Sequence, residues 1–233
     1  MAYQVMSGRF VGRTEELARL RELLAHAITG EPLVALIGGE AGVGKTRLAE
    51  QLAGVASQQG VRMLRGSCVL LGGEGVPLVP VIEALRGLAR ELDPAGLEAA
   101  VGPARADLAR LVPELAVSGE VAAGAGQGSQ GRLFAVLLGV VERLAAEAPL
   151  LWIIEDLHWA DRSTRDLVAF LAASLRSGPV MWVCTFRSDE LHRLHPLRGL
   201  LAELTRNRRV QRLELRRFTR AELAEQLAAL LGA

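Results

Sequence analysis

Cysteine is scarce in this chain of 233 residues, and membrane-length apolar runs and an excess of one charge are missing. The two cysteines, Cys68 and Cys184, stand alone in apolar surroundings. They form neither a CxxC nor a zinc-ligand pattern, which is typical of a reducing cytosol. The longest strongly apolar stretch, at 149–154, is far shorter than the ~20 residues that cross a bilayer. The sequence shows no secretory signal, and we expect a cytoplasmic protein with no membrane anchor.

Charge and composition are those of a globular domain. The 27 basic and 26 acidic residues give a formal net charge of +1, which excludes a polycation or an acidic tail. Half of the residues are hydrophobic and 23% are charged, which argues against a disordered chain. This length allows one large domain, or one and a half, with a core that needs no disulfide or metal.

Lysine is the scarcest charged residue. Lys45 is the only lysine, and arginine supplies the rest of the 27 basic residues. One compact ammonium group therefore stands in a sequence that otherwise uses arginine, and the residues on either side of Lys45 indicate its role.

Short apolar runs alternate with helical periodicities along the chain. Runs typical of buried strands lie at 32–39, 61–67, 150–156, 179–186 and 209–215. Helical spacing lies at 14–29, 45–59, 78–91, 130–147, 163–176 and 194–206, and starts again at 219–233. This order predicts an α/β fold with a five-stranded parallel sheet, flanked by helices and joined by right-handed crossovers. The last strand alternates more than the others, and we expect it nearer an edge.

Two Gly-rich segments are predicted to be connections. The stretch at 118–131 has few apolar anchors, which is typical of a mobile loop within a domain. The stretch at 71–77 lacks a Lys-Thr pair and is predicted to be a connector.

The segment GGEAGVGKT at 38–46 carries the strongest chemical signal. It satisfies the P-loop pattern G-x-x-x-x-G-K-[ST], follows a predicted strand and opens a predicted helix. Glycines let successive N–H groups point at phosphate oxygens, and the helix N-terminus adds partial positive charge. We expect Lys45 to reach the β and γ phosphates, where Arg is a poor substitute, and Thr46 to ligate Mg²⁺. The predicted contacts to ATP or ADP are Gly39, Glu40, Ala41, Gly42, Val43, Gly44, Lys45, Thr46 and Arg47.

A second constellation, LLWIIEDLHWAD at 150–161, is an apolar strand that ends in two acids. We expect Glu155 to hold the water shell of Mg²⁺, and Asp156 to orient or deprotonate the attacking water. His158 and Trp159 are interpreted as packing under the loop. Asp161 precedes RSTRDL and is either a helix N-cap or a site residue.

A third segment, TFRSDE at 185–190, ends the fourth predicted strand. In a parallel sheet this tip lies beside the P-loop, because ligands bind at the carboxyl ends of the strands. Thr185 is predicted to hydrogen-bond the attacking water, and Arg187 to sense the γ-phosphate. From Arg187 to Arg220 the arginines outnumber the acids, but Phe218 is the one Phe, Tyr or Trp among them, which is not a stacking platform for successive bases. Direct nucleic-acid contact is therefore not the favoured interpretation.

These motifs, in this order, resemble the AAA+-related signal-transduction ATPases with numerous domains (STAND proteins). The likeness is closest to the ATPase module of the large ATP-binding LuxR-type transcriptional regulators. Its carriers are FVGRTEEL at 10–17, GGEAGVGKTRL at 38–48, WIIEDLHWAD at 152–161, TFRSDE at 185–190 and RVQRLELRRFTRAEL at 209–223.

The resemblance implies a P-loop NTPase core at 1–216 and the start of a helical lid at 217–233. It also implies that Val11, Gly12 and Arg13 line the adenine end of the pocket. Glu155 stands where the family usually has Asp. The family's modules act as switches, in which ADP holds a closed form and ATP with an inducer favours self-association. The terminal helix ends with its apolar face uncommitted, and we expect sensor and DNA-binding domains beyond it, as in the family.

Three functional hypotheses follow. The first is an ATP-binding, slowly hydrolysing switch module of a LuxR-type or similar regulator. The second is an ATPase of the origin-recognition or DNA-loading type, whose basic tail touches DNA. The third is a non-catalytic interaction domain that binds nucleotide for stability alone.

Overall fold

The computed structural model describes residues 10–116 and 130–231. Its strands are β1 (Leu33–Gly39), β2 (Arg62–Ser67), β3 (Leu70–Leu71), β4 (Glu74–Gly75), β5 (Leu150–Glu155), β6 (Val180–Thr185) and β7 (Val210–Leu215). Its α-helices are α1 (Thr14–Ile28), α2 (Lys45–Gln58), α3 (Val79–Glu91), α4 (Pro94–Val101), α5 (Arg105–Leu108), α6 (Gln130–Glu147), α7 (Arg162–Ser174), α8 (Leu197–Leu204) and α9 (Arg220–Leu231).

Five of the strands form one parallel sheet within the described residues, in the order β2-β5-β6-β1-β7. The predicted α/β fold is confirmed, and β7 lies at an edge as expected. Because β6 lies between β5 and β1, the carboxyl ends of these three strands are adjacent. The register pairs Ile37 with Thr185 and Ile154 with Cys184, so the three chains leave the sheet at one level.

Side chains of the central strands are buried on both faces of the sheet. The odd-numbered residues of β5, Leu151 and Ile153, share one core with α1 and α2. Its even-numbered residues share the other with α3, α6, α7 and α8, where Trp152 and Trp182 pack edge to face with ring centroids 6.5 Å apart. Burial of each large apolar side chain contributes about 1.5–3 kcal/mol. The packed core therefore holds the ends of the central strands, and the residues that follow them, in fixed positions.

The segment between α3 and α6 contains helices that the sequence analysis did not predict. Residues 94–115 form α4, α5 and two turns of 3₁₀-helix. Each helix is at most eight residues long, which is too short to display the periodicity of a helix. The predicted connector at 71–77 contains a short hairpin of β3 and β4. The loop predicted at 118–131 lies outside the described residues, except for its last two, which belong to α6.

Local chemistry sets the bounds of the last helices. Helix α8 begins at Leu197 rather than at 194, because the residue before Pro196 is disfavoured in a helix. A capping box precedes α9, in which the amide and hydroxyl of Thr219 donate to Glu222 and the Glu222 amide donates back. No helix in the described part of the chain has both the length and the apolar character of a membrane span.

Candidate nucleotide site

The phosphate loop joins β1 to α2 through two left-handed glycines. Gly42 has φ +77° and Gly44 has φ +97°, and a β-carbon at either position would meet no atom within 4 Å. These glycines are required by the backbone conformation, which L side chains rarely adopt. Within the described residues, the amides of 42–46 donate to no protein acceptor. The loop is therefore a cradle of N–H groups at the N-terminus of α2, which is an anion-binding arrangement.

The ammonium group of Lys45 lies inside this loop. Its Nζ donates to the carbonyl oxygens of Gly39, at 2.9 Å, and Glu40, at 2.7 Å. Lys45 is 7% exposed. Burial lowers its pKa, as does the nearby positive charge of Arg187, while Asp156 opposes this shift. A desolvated ammonium beside unpaired amides favours a strongly anionic ligand.

The two acids at the end of β5 have opposite surroundings. Glu155 accepts two hydrogen bonds at one oxygen, Oε1, from Arg65 Nε (3.0 Å) and Nη2 (2.6 Å). Its side chain is 8% exposed, and Arg65 also lies 3.4 Å from Glu50 of α2. The carboxylate predicted to organise Mg²⁺ is thus bound by a guanidinium. Its role in metal binding stays a prediction.

Asp156 faces the cleft in a strained backbone conformation. Its φ of 54° and ψ of 44° are left-handed, a region that Asp and Asn tolerate better than most residues. Its amide donates to Thr185 Oγ1 at 3.1 Å. Burial raises the pKa of the Asp156 carboxyl, and the positive charges of Arg187 and Lys45 oppose the rise. Thr185 itself is 1% exposed, so its hydroxyl holds the Asp156 backbone.

Arg187 extends from the end of β6 into the same cleft. Its guanidinium carbon lies 5.0 Å from the centroid of the Trp159 ring, and Nη1 lies 2.5 Å from Glu190 Oε1. Ser188 donates its amide to the carbonyl of Gly39 at 3.2 Å. The prediction that this strand tip lies beside the phosphate loop is confirmed.

His158 and Trp159 pack beneath the strand ends, as interpreted from the sequence. The His158 side chain is fully buried, and burial lowers its pKa to about 4. Its Nδ1 accepts the Arg187 amide at 3.4 Å, which leaves the proton of the neutral ring on Nε2. Asp161 caps α7 by accepting from the amides of Ser163 and Thr164, which confirms its N-cap interpretation.

The FVGR segment lies at the other end of the cleft. Arg13 is 4% exposed and donates to the carbonyl of Val43 at 3.2 Å and to that of Arg216. Its guanidinium carbon also lies 4.7 Å from the centroid of the Phe218 ring. Gly12 packs against the same ring, which a β-carbon at that position would approach to 3.1 Å. This segment therefore connects the phosphate loop to the chain that leaves β7.

One cleft of about 560 Å³ collects most of these groups. It is lined by Phe10, Val11, Arg13, Gly42, Gly44, Lys45, Thr46, Arg47, Glu50, Asp156, Arg187, Phe218, Leu223 and Gln226. Glu155 and Thr185 are the predicted catalytic residues that do not line it. The arrangement can bind an anion at the loop and an apolar ring near Phe10 and Phe218. It can also present a carboxylate to the bound anion.

A family model described as the AAA ATPase domain matches residues 9–183. This is most of the chain. The protein belongs to the AAA ATPase domain family. The match includes the FVGR segment, the phosphate loop and the two acids Glu155 and Asp156, and it ends before Arg187.

Two solved structures are similar to this AAA ATPase domain, and the first supports its fold. The structure of the Aeropyrum pernix ORC1 protein in complex with DNA is similar over 100% of this chain and 52% of that chain, with 22% identity and a TM-score of 0.51. A STAND protein with a tetratricopeptide repeat sensor from Pyrococcus horikoshii is similar over 95% of this chain and 25% of that chain, with 17% identity and a TM-score of 0.45.

One sequence relative is much longer than the region that matches this chain. An uncharacterized protein of Rhizobium meliloti (strain 1021) is 27% identical over 219 residues, which are 87% of this chain. The chain spans about a fifth of that protein's length, since the match covers 21% of it.

Sequence reasoning missed three parts of the site in this AAA ATPase domain. Arg65 neutralises Glu155, Glu190 binds Arg187, and Phe218 closes the end of the cleft. Arg65 and Phe218 are far along the chain from the residues that they contact, and no motif connects them. Glu190 differs, because it lies three residues after Arg187. The closeness of these two opposite charges in TFRSDE was the available signal.

Proposed function

We propose that this chain is an ATP-binding and slowly hydrolysing nucleotide switch. The observation that carries the proposal is a single cleft lined by the phosphate loop, Asp156 and Arg187. The unpaired amides and Lys45 bind the phosphates, and the apolar end near Phe10 and Phe218 receives the adenine beside the FVGR segment. Asp156, with a pKa raised by burial, orients or deprotonates the attacking water.

The donor set fits a magnesium nucleotide. Thr46 lines the cleft next to Lys45, Glu50 and Asp156, and hydroxyl and carboxylate oxygens are the ligands that Mg²⁺ prefers. Thr46 would hold the ion directly, and Glu155 would do so through water once Arg65 shares its carboxylate. Bound Mg²⁺ supplies charge neutralisation at the β and γ phosphates.

Arg187 is the residue that would distinguish ATP from ADP. It is the guanidinium at the end of β6 that lines the cleft with Lys45 and Asp156. A switch requires the γ-phosphate to bind one conformation more tightly than the other. The resemblance to STAND proteins extends the proposal in three ways. The domain self-associates in the ATP state, and helix α9 is the start of a lid. The domain works with the sensor and DNA-binding domains of a LuxR-type transcriptional regulator.

Calorimetry with Mg-ADP and Mg-ATPγS, followed by single-turnover phosphate release, tests the proposal. We expect both nucleotides to bind the chain and ATP to be hydrolysed slowly. Arg187→Ala should reduce the difference in affinity between the two nucleotides. An absence of binding for either nucleotide would overturn the proposal, and equal discrimination in Arg187→Ala would remove Arg187 from it. Light scattering during size exclusion, with each nucleotide present, tests self-association.

One observation favours the third hypothesis, a nucleotide-binding interaction module without turnover. The Oε1 atom of Glu155 is occupied by Arg65, which opposes metal binding by this acid. Tight binding with no single-turnover hydrolysis would support that function.

The DNA-loading hypothesis has weaker support from the side chains. Two arginines of the basic tail already have protein partners: Arg209 donates to the Leu175 carbonyl, and Arg217 pairs with Glu40 at the surface. Salt-dependent binding of duplex DNA by this chain would nevertheless support direct contact.

A further inference from the structure

Glu190 is the meeting point of the side chains beneath the cleft. Its Oε2 lies 3.3 Å from Trp159 Nε1 and 3.4 Å from His158 Nε2. Its other oxygen, Oε1, lies 2.5 Å from Arg187 Nη1. The indole N–H of Trp159 therefore donates to one oxygen, His158 Nε2 lies beside that oxygen without a hydrogen bond, and the guanidinium pairs with the other oxygen.

The backbone and the side chain of Arg187 have separate partners. Its amide donates to His158 Nδ1, at 3.4 Å, and the following amide donates to the carbonyl of Gly39. The guanidinium, by contrast, rests between the Trp159 ring and Glu190, with 31% of the side chain exposed. The side chain can change partner while the loop that carries it stays in place.

The anion that binds the phosphate loop and the carboxylate of Glu190 offer two destinations for this guanidinium. Arg187 is close enough to the loop for its charge to lower the pKa of Lys45. Glu190 accepts a hydrogen bond from Trp159 Nε1, which opposes movement of this carboxylate together with the guanidinium. Contact with a phosphate in the cleft therefore weakens or breaks the pair with Glu190.

We propose that Glu190 is a positioning residue that competes with the terminal phosphate of ATP for Arg187. The proposal rests on the proposed function, because it requires nucleotide binding at the loop. ADP lacks the γ-phosphate and leaves Arg187 on Glu190. ATP must displace this carboxylate, so Glu190 reduces the preference of the domain for ATP over ADP.

Glu190→Gln tests the competition directly. The amide keeps the shape and an acceptor for Trp159 but removes the charge that holds Arg187. Calorimetry with Mg-ATPγS and Mg-ADP should show the ratio of the two affinities shifting toward ATPγS by roughly threefold to tenfold, the effect of losing one partly exposed charged partner. An unchanged ratio, or a shift toward ADP, overturns the proposal.

Asp189→Asn is the matched control, because it removes the same charge one residue earlier. Asp189 interacts with Lys45 through its charge, and within the described residues it does not pair with Arg187. We expect it to change both affinities in the same direction and leave their ratio unaltered. The double variant Arg187→Ala/Glu190→Gln should have the ratio of Arg187→Ala alone. An added shift from Glu190→Gln in that background would show that Glu190 acts through another group.

The fluorescence of Trp159 provides a second measurement, in which a loss of stability would not produce the expected result. Trp152 and Trp182 are buried in the core, whereas Trp159 carries the guanidinium on its face. ATPγS should change the tryptophan emission, and ADP should change it less. The ATPγS-specific part should vanish in Trp159→Phe and in Arg187→Ala. If ADP produces the same change, Arg187 does not leave Glu190 in response to the γ-phosphate.

Failure of the proposal differs from failure of the proposed function. If the unchanged chain binds neither nucleotide, the nucleotide switch itself is wrong. If it binds both and Glu190→Gln leaves their ratio unaltered, only the role of Glu190 is wrong.

Discussion

The phosphate loop at 39–46 and the strand-end segments at 155–161 and 187–190 border the same cleft, but they position their groups differently. The phosphate loop relies on backbone conformation, with left-handed glycines and amides that need no side-chain partner. The strand-end segments rely on side-chain pairs, in which Arg65 binds Glu155 and Glu190 binds Arg187. The first arrangement is local in the chain, and part of the second joins residues 90 positions apart. Substitutions should therefore affect the two regions in different ways.

The largest effect is expected from Asp156→Asn. Removal of the carboxylate should reduce the single-turnover rate of ATP hydrolysis by about 10²- to 10⁴-fold, the usual contribution of a general base. Nucleotide affinity should stay near that of the unchanged chain, because the phosphate loop is untouched. Phosphate release and calorimetry measure the two quantities. Surviving turnover would show that Asp156 is not the residue that activates water.

Lys45→Ala should have the next largest effect and should act on binding. Loss of the ammonium removes charge-assisted contacts to the phosphates, and affinity for Mg-ATP should fall about a hundredfold, or about 3 kcal/mol. Lys45→Arg is the matched control, because it keeps the charge. It should restore little affinity, since the planar guanidinium does not fit inside a loop shaped around a compact group. Full affinity in Lys45→Arg would contradict the loop geometry.

Acidification should affect the strand-end segments through His158. Its pKa is lowered from 6.5 to about 4 by burial, so the unfolded chain binds more protons than the folded one between these pH values. The free energy of unfolding should therefore fall as pH is lowered from about 6.5 to 4, with roughly 3 kcal/mol attributable to His158. His158→Gln should reduce this dependence in urea titrations at several pH values. The same change at the exposed His26 should not, and equal slopes in both variants would refute the assignment.

The smallest expected effect is a difference in stability between variants of the two neighbouring acids, Glu155 and Asp156. Glu155→Gln should lower the free energy of unfolding by about 1 kcal/mol, because Arg65 loses a partner but is itself 44% exposed. Asp156→Asn should leave this free energy nearly unchanged, since Asn also tolerates the left-handed conformation. Urea unfolding of the two variants measures the difference. Equal destabilisation would mean that the contrast between the two acids is absent in solution.

The sequence by itself determined the alternation of strands and helices, the parallel sheet and the phosphate loop. These depend on periodicity and on short motifs whose residues are neighbours in the chain. The cap of α7 was partly accessible in the same way, because a cap involves only one turn of helix, and an N-cap was one of the two interpretations that the sequence left open for Asp161. The short helices at 94–108 were not predicted, because each is too short for helical periodicity to be recognised in the sequence.

Only the tertiary structure decided how the charged groups are shared. No spacing rule relates Arg65 to Glu155 or Arg13 to the carbonyls of Val43 and Arg216, because these contacts form when β2, β5 and β7 take their places in the sheet. The orientation of Arg187 likewise depends on the ring of Trp159, which the sheet places beside it. Side-chain charges choose partners by distance in space, and that distance is set by packing rather than by position along the chain.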